Sequence, residues 1–122
     1  MKTILVVDDF ASVRFYHERL LKQAGYATLG ARDGAEAFAQ LERNPVDLVM
    51  LDMIMPNMNG TQFLQRVRSN QRYTRLPIII VSTEAQPDID RGSGDGACGA
   101  VKLLNKPILP DVLLKEVGRL LS

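Results

Sequence analysis

Three apolar runs govern what this chain can fold into: Ile4-Leu5-Val6-Val7 before Asp8, Leu48-Val49-Met50-Leu51 before Asp52, and Ile78-Ile79-Ile80-Val81 before Ser82. None alternates apolar with polar, so neither face of the corresponding strand is suited to water. Short runs of this kind, rich in Val and Ile, belong to parallel sheets covered by helices on both faces. Parallel strands need crossovers of about a dozen residues or more, and the gaps between the runs supply them. Each run also ends at a side chain that carries oxygen.

The intervening segments carry helix punctuation. Ser12 is expected to cap a first helix with Val13, Tyr16, Leu20 and Ala24 near a 3.6-residue period, ended by Gly25. Ala27 to Ala31 reads as a weaker strand. Asp33 then caps a second helix carrying Ala37, Phe38 and Leu41, which Asn44-Pro45 stops. The turn-rich stretch Met55 to Gly60 leads into a third helix with Phe63, Leu64 and Val67. Val101 to Asn105 is a fifth, short strand. A last helix begins near Pro110 and has Leu113, Leu114, Val117, Leu120 and Leu121 on its apolar side. The order βαβαβαβαβα predicts a doubly wound, five-stranded parallel α/β fold with right-handed crossovers. The fourth helix is expected to be short, near Pro87 to Arg91, and followed by a loop. Gly92, Gly94, Gly96 and Gly99 crowd the rest of that interval, and each glycine inside a helix costs about 1 kcal/mol relative to Ala.

Composition narrows the function classes. With 122 residues the chain is expected to be a single domain, 1–122, with no output domain. Fifteen Lys and Arg against fourteen Asp and Glu leave a net charge of +1, which gives no strong field for nucleic acid or an anionic membrane. No apolar run approaches membrane-spanning length, and the four residues Ile4 to Val7 are too short for a signal-peptide core. The lone Cys98 forms no internal disulfide and suits a reducing compartment. A cytoplasmic protein is expected.

Ligands of open α/β sheets bind outside the carboxyl ends of the strands, where the strand order reverses. The polar residues that end these strands, Asp8, Asp9, Asp52, Ser82, Thr83 and Lys106, are therefore expected to converge. Crowded carboxylates repel by a few kcal/mol per pair at an effective dielectric of about 20, so a divalent cation or the Lys106 ammonium must offset them. Hard oxygen donors suit Mg²⁺, which combines one or two carboxylates with phosphate and water. Asp52 then reads as a nucleophile toward phosphorus, with Asp8 and Asp9 as the metal-holding pair. Ser82 can donate to one phosphoryl oxygen, and Lys106 can bind another as a point charge.

The Asp8-Asp9 pair, Asp52 followed by Met55-Pro56-x-Met58-x-Gly60, Ser82, and Lys106-Pro107 together resemble a response-regulator receiver domain over the whole chain. The resemblance implies the flavodoxin-like strand order 2-1-3-4-5, for which the chemotaxis regulator is a standing example. It further implies that Asp52 accepts a phosphoryl group from a histidine kinase or phosphotransfer protein. Asp8, Asp9, Asp52 and the backbone carbonyl of Ile54 would hold Mg²⁺, and Ser82, Thr83 and Lys106 would meet the phosphoryl group. The output would be altered binding of a protein target by a monomer, as in stand-alone chemotaxis regulators. Two positions depart from the usual receiver pattern. Leu103 stands where an aromatic normally couples to the hydroxyl at Ser82, and Thr83 replaces a common Ala.

Other readings fit the residues less well. A Mg-dependent phosphatase of the haloacid-dehalogenase type would need a second Asp two residues after the nucleophile, and Ile54 is there instead. A flavodoxin-like cofactor carrier fits poorly, because Asp8 and Asp9 would repel a cofactor phosphate. A phosphorylation-independent adaptor is the remaining alternative. His17 within the first helix is read as structural or solvated, Arg66, Arg68, Arg72 and Arg75 as a solvated face, and Cys98 as a small filler. Met50, Met53, Met55 and Met58 are read as packing residues.

Overall fold

The computed structural model describes residues 1–52, 60–82, 101–105 and 108–121. Five parallel strands, β1 (Thr3–Val7), β2 (Ala27–Ala31), β3 (Leu48–Asp52), β4 (Ile78–Ser82) and β5 (Val101–Asn105), form one sheet in the order β2-β1-β3-β4-β5. Helices α1 (Ala11–Gln23), α2 (Gly34–Arg43), α3 (Gly60–Arg68) and α4 (Pro110–Leu121) accompany it, with a 3₁₀ turn at Gln71–Tyr73. The expected fourth crossover helix near Pro87 to Arg91, its glycines and Cys98 lie outside the described residues. Among the described residues no helix is long and apolar enough to cross a membrane.

The continuous apolar runs are explained by two cores, one on each face of the sheet. Successive strand residues point to opposite faces. Leu5, Val7, Val49, Leu51, Ile78 and Ile80 meet Ala37, Leu41, Phe63 and Val67 of α2 and α3 on one side. Ile4, Val6, Leu48, Met50, Ile79 and Val81 meet Leu21, Leu113 and Val117 of α1 and α4 on the other. A single polar substitution in these strands would therefore face an apolar layer whichever way it pointed.

The local punctuation of α2 agrees with the sequence. The Asp33 carboxylate accepts from the N–H of Glu36 at 2.9 Å, satisfying a donor at the start of α2. The first helix differs in two respects. Its cap residue is Phe10, with no side-chain cap bond, and Ser12 lies inside the helix. The cause is upstream: Asp8 Oδ1 accepts from the N–H of Phe10 at 3.0 Å, a tight turn that starts the helix before Ser12 is reached. Its buried residues are His17 and Leu21, whereas Tyr16 and Ala24 are exposed. His17 is thus structural, with its ring 5.4 Å from that of Tyr16.

The far end of α1 closes as a Schellman motif. The N–H of Tyr26 donates to Leu21 O at 3.1 Å and that of Gly25 to Lys22 O at 3.0 Å. Gly25 has φ of +100°, a conformation that side chains with a Cβ adopt only under strain.

Candidate functional site

The strand order reverses between β1 and β3, which share a neighbouring position although β2 intervenes in sequence. Asp8 follows β1 directly and its N–H donates to Ala31 O at 3.0 Å, so the β1–β2 ladder runs up to the aspartate itself. Asp52 is the last residue of β3, one position beyond Leu51, which pairs with Val7. The register consequently sets Asp8 and Asp52 side by side at the carboxyl edge, the crevice where ligands of such sheets bind.

Asp8, Asp9 and Asp52 come together there. One carboxylate oxygen from each lies within 4.8 Å of the other two. Asp8 is 3% exposed and Asp52 7%, while Asp9 faces solvent. Burying two carboxylates beside a third costs both hydration and mutual repulsion, and the arrangement asks for a cation. The donor set fits Mg²⁺: octahedral coordination at about 2.1 Å places ligand oxygens about 3 to 4 Å apart, which the 4.8 Å limit on their separation here accommodates. One exposed and two buried acids also leave a solvent side for water and phosphate.

Arg14 was missed by sequence reasoning. Its Nη1 donates to the main-chain carbonyl of Asp8 at 2.8 Å from the first turn of α1. With the Phe10 N–H on Oδ1, Asp8 is held from both its carboxylate and its carbonyl. The only signal was the six-residue spacing from Asp8 to Arg14, which one helical turn after a strand-end loop converts into contact. Opposite lies Gly30 of β2, where an added Cβ would sit 3.2 Å from Arg14 Nε and 3.0 Å from Glu18 Oε2. A larger residue there would crowd the arginine.

Ser82 ends β4 and its backbone pairs with Asn105 at the end of β5, while Val81 pairs with Asp52. The main chain of Ser82 is therefore one residue beyond the level of Asp52 on the adjacent strand. Leu103 pairs with Ile80. Ile54, Thr83 and Lys106 lie outside the described residues, as do Met53, Met55 and Met58, whereas Met50 is a core residue.

Comparison with known proteins agrees with this geometry. The family model for the response regulator receiver domain matches residues 4–118. The chain is 30% identical over 122 residues to protein PilH of Pseudomonas aeruginosa, covering 100% of this chain and 99% of that one. It is 34% identical to chemotaxis protein CheY of the same organism, covering 96% and 94%. The solved structure of chemotaxis protein CheY4 of Vibrio cholerae superposes with a TM-score of 0.87 at 36% identity, covering 99% of each chain. Two longer curated relatives contain a matching part only, the chain spanning 15% and 17% of their lengths.

Proposed function

The chain belongs to the response-regulator receiver family of two-component signal transduction, and on that premise we propose that Asp52 is its phosphoacceptor. Receiver domains act as phosphoacceptor switches, take phosphoryl groups from histidine kinases and bind Mg²⁺ at an acidic pocket. The observation that carries the reading for this chain is the meeting of Asp8, Asp9 and Asp52 at the strand-order reversal.

The proposed chemistry is a transfer between two residues. A carboxylate oxygen of Asp52 attacks the phosphorus of a donor phosphohistidine, the new P–O bond forms, and the P–N bond breaks with its electron pair returning to the imidazole. Asp52 is suited to this role because it is buried at a strand end and held in place by the sheet, so its approach direction is fixed. Asp8 and Asp9 would hold the cation with Asp52, and by the family's pattern the backbone carbonyl of Ile54 would complete the set. Magnesium, when bound, supplies positive charge against the phosphoryl oxygens. By the family's pattern Ser82 and Thr83 would donate to those oxygens, and Lys106 would neutralise the charge that remains. Water later attacks the acyl phosphate and releases inorganic phosphate.

The consequence is a switch in binding of a protein target rather than turnover of an outside substrate. We assign this to a cytoplasmic, monomeric protein. Leu103 stands where receivers usually carry an aromatic, and we infer that the switch at Ser82 is built differently from theirs. Transfer from a labelled phosphohistidine kinase tests the proposal. Label should move to wild type and stay on the kinase with Asp52→Asn; equal transfer to both proteins would refute the assignment.

A further inference from the structure

A second feature stands at the opposite end of the sheet. Helix α3 leaves the carboxyl edge after β3 and returns to the start of β4, so its last turn and the 3₁₀ turn lie at the amino edge, away from Asp52. There a groove of about 630 Å³ is lined by Phe38, Glu42, Arg66, Asn70, Arg72 and Tyr73, among others. Its walls are fixed. Phe38 packs on the buried Phe63 with ring centres 4.9 Å apart, and Tyr73 donates its hydroxyl to Leu41 O at 3.2 Å.

Two guanidinium groups rest on those walls. The Arg66 carbon Cζ lies 4.5 Å from the centre of the Phe38 ring, and that of Arg72 lies 5.3 Å from the centre of the Tyr73 ring. Stacking holds a guanidinium by its face and leaves its edge N–H donors directed outward. Both arginines are exposed, and among the described residues neither has a carboxylate at ion-pair distance. The segment 60–82 carries Arg66, Arg68, Arg72 and Arg75 and no Asp or Glu, so the side of the groove formed by α3 and the 3₁₀ turn is positive, with Glu42 opposite it.

We propose that this groove binds an acidic peptide segment of a partner protein, whose carboxylates dock on Arg66 and Arg72. Arginine prepositioned on an aromatic ring is matched to bidentate carboxylate recognition, and arginine and tyrosine are enriched at protein interfaces. Arg66 lies over the Phe38 ring and Arg72 over the Tyr73 ring, so a nucleotide base would have to displace a guanidinium to stack on that face. Glu42 in the same groove sets a limit: it repels an acidic ligand and moderates its affinity. The site is independent of phosphoryl transfer, being at the other edge of the sheet.

The test is fluorescence anisotropy of a fluorescein-labelled hexaglutamate peptide, with a labelled hexalysine peptide as control and ATP as competitor. Saturable binding of hexaglutamate is expected, weakened about 3- to 10-fold in the Arg66→Gln/Arg72→Gln double variant, since each exposed ion pair contributes a modest factor. Glu42→Gln should tighten binding about 2-fold by the same reasoning. Uptake of a phosphoryl group by the double variant should equal that of wild type, which separates this site from Asp52. Absence of saturable binding, or binding unchanged in the double variant, overturns the proposal. So does displacement by ATP at lower concentration than by unlabelled peptide, which would make the groove a nucleotide site.

Discussion

Arg14 holds Asp8 through the main chain: Nη1 of the arginine donates to the aspartate carbonyl at 2.8 Å, and Gly30 on the neighbouring strand leaves the arginine room to do so. The bond fixes the peptide plane on which both Asp8 and Asp9 depend. Replacement by Arg14→Met should lower Mg²⁺ affinity about 3- to 10-fold, at or below the weak end of effects seen for groups bonded directly to metal ligands, because the arginine holds the Asp8 carbonyl and not its carboxylate. Gly30→Ala should act in the same direction, because its Cβ would come within 3.2 Å of Arg14 Nε. The chain has no tryptophan to report binding by quenching, so isothermal calorimetry is the appropriate readout.

The acidic cluster makes a prediction with a definite sign. Asp8, Asp9 and Asp52, with carboxylate oxygens within 4.8 Å of one another, repel when no cation is bound, by roughly 3.5 kcal/mol or more per ionised pair at an effective dielectric of about 20. In chelated buffer Asp52→Asn should therefore be more stable than wild type. Magnesium at tenfold excess over its Kd should stabilise wild type by about 1.4 kcal/mol and Asp52→Asn by less, so the order narrows or reverses. Urea unfolding with and without Mg²⁺ reads both effects.

Phe63 supports the fold from α3. It is fully buried against the β1–β3–β4 face and stacks with Phe38. Phe63→Ala should cost about 3 to 5 kcal/mol, a loss of transfer free energy plus a cavity that fixed strands cannot close. Equilibrium unfolding in urea would show the midpoint falling with little change in slope.

Gly25 is needed for its backbone rather than for space. At φ of +100° nothing lies within 4 Å of an added Cβ, so the cost of Gly25→Ala is conformational alone. A loss of about 1 kcal/mol is expected. Thermal unfolding measures it, and Ala24→Gly next door provides a comparison that lacks the positive φ.

Much of this architecture is legible from residue order. Runs that are apolar at every position force a sheet covered on both faces, and Asp33 and Gly25 mark helix ends by chemistry that depends only on neighbours. The parts that were not legible depend on contacts distant in sequence or on helix phase. Ser12 resembles a cap, yet the turn made by Asp8 and Phe10 starts α1 sooner. His17 and Leu21 face inward while the larger Phe15 and Tyr16 face solvent, so apolar character misreports the buried side of α1. The acidic site was foreseen because its members all end strands. Arg14 was not, since its partner is a carbonyl oxygen and carbonyls carry no sequence label. The 3₁₀ turn at Gln71–Tyr73 and its aromatic-backed arginines depend on Tyr73 reaching α2, a contact between residues far apart in the chain.

Asp52 is proposed to accept a phosphoryl group at a site completed by a divalent cation. Intact mass measured after incubation with acetyl phosphate and Mg²⁺ tests it most directly. One added phosphoryl group is expected on wild type, none on Asp52→Asn and none when the metal is chelated. An adduct that persists in Asp52→Asn would contradict it, as would a wild-type protein that binds Mg²⁺ yet takes up neither phosphate nor the phosphoryl mimic beryllofluoride.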